Sequence, residues 1–372
     1  MAQAMKKELD GLLDAAQRAE SLLVYDDAMG KAVRARLDRL VEKHELIRPV
    51  PSSYARRGYW EGLTPALKQT HIIRACAERH PDWVFCGVSA AAWLGYDPTW
   101  ELLKHVHVAD ERGRRRYSTS IVKAHEIKNL EVERHNGVLV TTPERTLFDC
   151  LCTVPFVDGL AMADRATRVS GWRDDHVISL VERYASKGRY RGLSRALETA
   201  AYVDGRAESG GESIARANMI QLGFERPELQ VDIEDLFEPG RMYRVDFAWL
   251  VEGIGLVVGE LDGGRKYCDK VIVGNRGIEE VLLRERQRES RLSAVGARIA
   301  RFNYAQARNP DVLARLLKGF GVPQGKVWSG AGPSLRGYER LGNVRYCADD
   351  DYSVFTCSYR RLHSKSRASE HT

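Results

Sequence analysis

Residues Met242 to Asp262 read MYRVDFAWLVEGIGLVVGELD, and this stretch decides the fold of the region around it. Met242–Leu250 and Gly253–Leu261 are rich in aromatic and β-branched residues and predict a strand pair. An acid interrupts each strand, Asp246 within the first and Glu260 near the end of the second. With an odd hairpin loop such as Glu252–Ile254, the two carboxylates oppose one another on one face. Facing carboxylates repel unless something positive lies between them. A divalent cation does this, and Mg²⁺ takes one or two carboxylates plus phosphate oxygens and waters. Asp262 adds a third acid on the same strand, Lys266 follows it, and Glu212 is placed to contribute from a preceding helix.

Outward from this pair, a helix is expected from Glu212 to Leu222, stopped by Gly223, and a strand over Glu228–Ile233. After the pair come a glycine-rich basic loop (Gly263–Gly277), a long helix (Ile278–Val295) and a strand (Ala297–Asn303). A final helix is capped by Asn309-Pro310-Asp311. The order α-β-β-β-α-β-α predicts a small mixed sheet flanked by helices. On the long helix Ile278, Leu282, Leu292 and Val295 mark an inward stripe, with Glu285 and Glu289 in its middle and Arg284 and Arg288 beside them. Charge on an inward face needs partners or a wet site. The alternative is an ordinary salt-bridged helix on a partly exposed sheet. From Gly264 to Arg301 there are ten Lys and Arg against five acids, so most of the net charge of +6 falls here. An acidic metal site rimmed by basic residues suits a phosphodiester substrate.

The front of the chain predicts helix, short helix, helix and basic ribbon, the order of a winged helix-turn-helix. Leu9, Leu12, Leu13 and Ala16 recur at helical spacing, as do Val33, Leu37, Leu40 and Val41. On another face of the second helix, Arg36, Arg39 and Lys43 fall at i, i+3 and i+7, a stripe that fits a major groove. Arg56 and Arg57 are read as the basic tip of the ribbon, holding phosphate or entering a minor groove. A merely solvated face, diluted by Asp38 and Glu42, is the competing reading. The middle region alternates helices with short strands, and Thr142-Pro143-Glu144 opens a helix carrying Leu147, Phe148 and Leu151. The expected domains are 1–65, 66–200 and 201–321, with a disordered tail over 322–372 that is rich in Gly, Ser and Arg.

The chain has 372 residues, 44% hydrophobic and 29% charged, an ordinary globular mixture that suits two or three domains. No apolar run approaches the roughly 18–20 residues of a spanning helix, and Met1–Asp10 is charged. A membrane is therefore not an expected partner, and the cytoplasm is the expected location. Seven cysteines with no Cys-x-x-Cys pair indicate neither a disulfide framework nor a zinc site. His105 and His107 share one face of a strand without an evident third ligand, which favours a structural role. Ser89, His107 and Asp149 form a triad by residue type alone, as chance supplies in a chain of this size.

Residues 212–303 resemble the restriction-endonuclease-like superfamily, and within it the very-short-patch-repair-like endonuclease domains. The motifs are Arg244-Val-Asp246-Phe-Ala-Trp249, Gly259-Glu260-Leu-Asp262-Gly263 with Lys266-Tyr267, and Glu285-Arg-Gln-Arg288-Glu289-Ser-Arg-Leu292 before Arg301-Phe302. The resemblance implies Asp246 and Glu260 as Mg²⁺ ligands, Glu212 as a helix carboxylate, and DNA as substrate. A lysine is usual two positions after Glu260, where this chain has Asp262. Lys266 falls where many relatives carry a histidine, and from there it would hold the attacking water or stabilise developing charge. Residues 5–175 are similar to the antitoxin family of AbiE abortive-infection systems, through the winged helix, Gly87-Val-Ser89-Ala-Ala and Gly137-Val-Leu-Val-Thr-Thr-Pro143-Glu-Arg145-Thr-Leu-Phe-Asp149. That similarity implies an operator-binding repressor with a cognate toxin as partner. Two functions follow: a DNA-binding Mg²⁺-dependent endonuclease, or a repressor whose nuclease-like domain only binds nucleic acid or a protein.

Overall fold

The computed structural model describes residues 2–110, 121–262 and 274–325. It is an α/β protein of two compact units, one made of residues 1–172 and 179–196, the other of 173–178 and 197 onward. Among the described residues no helix is long and apolar enough to cross a membrane.

The first unit opens with α1 (Ala2–Arg18), β1 (Leu23–Val24), α2 (Lys31–Glu42), β2 (Leu46–Val50) and β3 (Ser53–Arg56). The strands form an antiparallel sheet in the order β1-β3-β2. Leu9 and Leu13 of α1 and Leu37 and Leu40 of α2 close over Leu23, Leu46 and Tyr54, which is why the helical spacing of apolar residues reads so clearly. β2 accommodates Pro49 because it is the edge strand, where a missing N–H breaks no ladder bond. The hairpin turns at Pro51-Ser52, with Ser52 at φ 58°. Arg56 and Arg57 therefore lie at the base of the ribbon and not at its tip, correcting that expectation. Arg56 ends β3, and Arg57 begins α3 (Arg57–Gly62).

α4 (Pro65–Arg79) follows, its first turn capped by Thr64, which accepts the Leu67 N–H. α5 (Gly87–Trp93) leads to parallel β4 (Val106–Asp110) and β5 (Val122–Glu126), then antiparallel β6 (Val132–His135) and β7 (Val138–Thr141). Phe85 forms single bridges, pairing with Val108 on one side and Val140 on the other. α6 (Pro143–Thr153), α7 (Phe156–Ser170), α8 (Asp174–Lys187) and α9 (Leu193–Ala200) complete the helical part. The segments 1–65 and 66–200 share one apolar cluster: Leu22, Val50, Ala55 and Trp60 pack with Ile73, Phe85, Val106 and Val140.

The second unit is built on a four-stranded mixed sheet, order β11-β10-β9-β8, from β8 (Glu228–Glu234), β9 (Met242–Val251), β10 (Gly255–Asp262) and β11 (Arg298–Asn303). β10 and β11 run parallel, and the other neighbours run antiparallel. α10 (Gly210–Gln221), α12 (Tyr304–Ala307) and α13 (Pro310–Gly319) cover one face, and α11 (Gly274–Ala294) the other. Phe247, Trp249, Val257 and Phe302 pack with Met219, Leu313 and Leu317 on the first face, while Val245, Leu256 and Val258 meet Leu292 and Val295 on the second. Each fully buried side chain of this size contributes about 1.5–3 kcal/mol. Val322 is buried in the first core, and the Glu225 N–H donates to the Pro323 carbonyl, so these two residues belong to the folded unit and not to the tail expected from 322. Residues 326–372 lie outside the described residues.

Candidate carboxylate site and basic helix face

The β9–β10 hairpin turns through Glu252–Ile254, and its ladder runs from Gly255 opposite Val251 to Gly259 opposite Phe247. One step further along that register lie Glu260 and Asp246. The ladder stops there, and an Asp246 Oδ2 accepts the Leu261 N–H at 2.8 Å, so a side chain stands where a backbone carbonyl would otherwise serve. Across β9, the β8 register passes from Leu229–Phe247 to Val231–Val245 and leaves Gln230 and Asp246 unpaired with each other. Gln230 has φ 54°, a left-handed conformation costly for a residue with a Cβ. Both strands change face at this point. Tyr243 and Val245 look toward α11, whereas Phe247, Trp249 and Val251 look toward α10 and α13. Asp246 sits at the crossover.

Glu212 comes from the first turn of α10. Ser209-x-x-Glu212 is a helix-start signature, and Ser209 Oγ both accepts the Glu212 N–H and donates to Glu212 Oε1 at 2.7 Å. Glu212 Oε2 accepts from the Glu208 N–H at 2.8 Å and from Gln230 Nε2 at 2.9 Å. Gly211 lets the helix start approach β10 closely, since a Cβ there would lie 2.5 Å from Leu261 Cδ2. Glu212 and Glu260 are both buried, and burial pushes both carboxyl groups above the usual range. The charge of Asp246 pushes each further in the same direction. Glu212, Asp246 and Glu260 therefore form one electrostatic group drawn from a helix and two strands.

The α11 face answers this negative charge. Arg288 Nη1 donates to Glu260 Oε2 at 2.7 Å, and Nη2 lies 2.6 Å from Oε1 while donating to the Arg244 carbonyl at 2.5 Å. Glu260 Oε1 is buried and, despite that proximity, receives no aligned hydrogen bond. Arg301 lies across from Glu260 on the parallel strand β11 and bridges Asp262 (2.5 Å) and Glu285 (3.3 Å). Asp262 holds the Arg301 guanidinium firmly protonated. The inward face of α11 runs through Glu285, Arg288, Leu292 and Val295. Glu289 is exposed, which corrects its placement on that face: the helical step from Glu285 inward leads to Arg288. Lys266 lies outside the described residues.

Sequence reasoning misses Gln230 and the role of Arg301. Nothing local marks Gln230 as left-handed, and Arg301 meets Asp262 only through a parallel pairing of distant strands. The Ser209-x-x-Glu212 spacing, by contrast, is a readable signal that Glu212 also caps its helix.

No group of three or more His, Cys, Asp or Glu among the described residues is arranged as a metal-holding cluster. The arrangement fits the smaller requirement of Mg²⁺, one or two carboxylates with water and phosphate oxygens. Asp246 and Glu260 come directly after the last paired residues, Phe247 and Gly259, and the under-bonded Oε1 is an acceptor suited to a cation.

In the first unit, Arg39 and Lys43 are exposed and Arg36 is half-buried on α2, and none of the three makes an ion pair with any described residue. Arg56 instead reaches Asp14 of α1 at 2.6 Å and Asp10 at 3.5 Å, and Arg57 reaches Glu61 at 3.1 Å and the His44 carbonyl at 3.0 Å. Ser89 Oγ accepts from Gln69 Nε2 and from the backbone N–H of His107, and Asp149 is held by Arg145, so these residues assemble no triad. His125 lies beside His107, with Nδ1 and Nε2 2.8 Å apart in stacked rings.

No family model matches the chain. Two uncharacterized proteins of Mycobacterium tuberculosis, Rv2248 of strain H37Rv and MT2308 of strain CDC 1551, are each 34% identical to it over 166 residues. The match covers 45% of this chain and 58% of each relative, so the chain spans little more than half the length of the curated relatives it matches.

Proposed function

We propose that this is a DNA-binding protein whose second unit is a Mg²⁺-dependent endonuclease. The observation that carries the reading is the convergence of Glu212, Asp246 and Glu260 where the β9–β10 ladder ends, with Asp246 acting electrostatically on both other acids. The mixed sheet between helical layers supports a restriction-endonuclease-like fold, and the element order of 2–56 with strand order β1-β3-β2 supports a winged helix. Asp246 and Glu260 would hold Mg²⁺, which when bound supplies Lewis-acid polarisation of a phosphate oxygen and a water of lowered pKa. Glu212, fixed by Ser209 and Gln230, would supply the third carboxylate of the site. Lys266 is the candidate for stabilising the developing charge. Arg36, Arg39 and Lys43 on α2 engage the phosphate backbone or a major groove, since none of the three makes an ion pair among the described residues.

The test is nicking of supercoiled plasmid by the full chain with Mg²⁺ or with EDTA, beside Asp246→Ala and Glu260→Ala. Metal-dependent nicking by the wild type alone is the expected result. Equal nicking by all three proteins, or none with any divalent metal, overturns the enzyme reading. A specific observation favours a second reading: Glu260 and Asp262 are both engaged by arginines. An AbiE-type repressor with a silent nuclease-like unit accounts for that, and operator binding without cleavage is its signature. A cognate toxin would then be its partner.

A further inference from the structure

Resting on the metal-dependent reading above, we propose that Arg288 is a built-in occupant of the Glu260 carboxylate, which a divalent cation must displace in order to bind. Both Glu260 oxygens face this one guanidinium, at 2.7 and 2.6 Å. Glu260 is buried beside Asp246, so its ionised form needs a positive neighbour. Arg301, the other cation facing it among the described residues, is engaged with Asp262 and Glu285. Among the described residues the choice at Glu260 is therefore between Arg288 and an added cation, because both oxygens lie within 2.7 Å of the guanidinium and a metal ion on the same carboxylate would be repelled by it.

Arg288 is built to leave. Its side chain retains about a quarter of its exposure, 23%, against 8% for Glu260. Its remaining hydrogen bond runs to the Arg244 carbonyl, and Arg244 is itself tied to Asp232 by two bonds of 3.0 and 2.9 Å. The carbonyl is thus a fixed anchor that holds the guanidinium over Glu260 until another anion attracts it. A phosphodiester brought to the site is such an anion. Metal and nucleic acid then strengthen each other's binding, because one takes Glu260 and the other takes Arg288.

The test measures Mn²⁺ binding to the full chain without nucleic acid, by calorimetry and by the electron paramagnetic resonance of free Mn²⁺. Wild type, Arg288→Gln, Arg288→Lys and Glu260→Gln are compared, with thermal unfolding confirming that each is folded. Arg288→Gln should bind Mn²⁺ at least tenfold more tightly than wild type, and Glu260→Gln should lose the binding. Arg288→Lys, which keeps the charge without the two-pronged geometry, should fall between and carries the test if Arg288→Gln does not fold. Equal affinity of wild type and both Arg288 variants, abolished by Glu260→Gln, overturns the competition and leaves the carboxylate site standing. No Mn²⁺ binding by any of the proteins overturns both.

Discussion

The basic face of α2 and the carboxylate group of the second unit use charge in opposite ways. On α2 the cations Arg36, Arg39 and Lys43 have no ionic partner among the described residues. Around Glu260 four acids are answered by cations: Arg288 on Glu260, Arg301 on Asp262 and Glu285, Arg244 on Asp232. An unanswered exposed charge costs the fold little, because water solvates it, and it stays available to a polyanion. An answered, buried charge is bound into the structure, and using it for chemistry requires breaking a pair first. The first region can act by presence alone, while the second needs an exchange of partners.

Removing charges of each kind sharpens that contrast. The largest effect on stability is expected at Arg145, which is 4% exposed, holds Asp149 and donates to the carbonyls of Lys128 and Asn129. Arg145→Ala should cost roughly 3 kcal/mol in denaturant unfolding, since it removes a buried guanidinium and strands the half-buried carboxylate of Asp149; a cost below about 1 kcal/mol would show that the pair holds nothing. The combined Arg36→Gln, Arg39→Gln, Lys43→Gln variant should keep its stability within about 0.5 kcal/mol. Its affinity for duplex DNA should fall, with the slope of log K against log salt shrinking by about 0.9 for each phosphate left without its cation. An unchanged salt slope would mean that α2 is only a solvated face. Arg56→Ala, which breaks exposed pairs to Asp10 and Asp14, should cost no more than about 1 kcal/mol and leave DNA affinity intact. A drop in affinity there would restore the ribbon base as a DNA-binding surface.

The smallest effect expected is a pH dependence at His107. Burial, followed by the neighbouring His125, His105 and Lys123, lowers its pKa from 6.5 to about 4. The unfolded chain then takes up the proton first, so stability present above pH 6.5 is lost as pH falls toward 4. Melting temperatures across that window should decline less steeply in His107→Gln than in wild type, and parallel curves would refute the assignment.

Much of the second unit is legible in its residues, because period-2 strands and a three-residue turn leave little freedom in the β9–β10 register. What is not legible is non-local. The change of face at Asp246 depends on the left-handed Gln230 across the sheet. Arg301 reaches Asp262 through the pairing of β10 with β11, strands separated in sequence by a loop and a long helix. Glu289 points inward only if the helix turns all its acids to the site, whereas Glu285 and Arg288 share that face and Glu289 is exposed. In the first unit, the Arg56–Arg57 pair looks like a ribbon tip until Pro51-Ser52 is seen to make the turn. A doublet of arginines is visible in sequence, but the aspartates of α1 that claim Arg56 are not.

The central claim is that Asp246 and Glu260 act as one unit. It is tested most directly by plasmid cleavage rates in Mg²⁺ for Asp246→Asn, Glu260→Gln and the double variant, each checked for a native melting transition. Groups that serve one metal are not additive in their effects. Each single variant should lose roughly 100-fold or more in rate, and the double variant should cleave no more slowly than either single. Single variants that cleave at the wild-type rate would contradict the account.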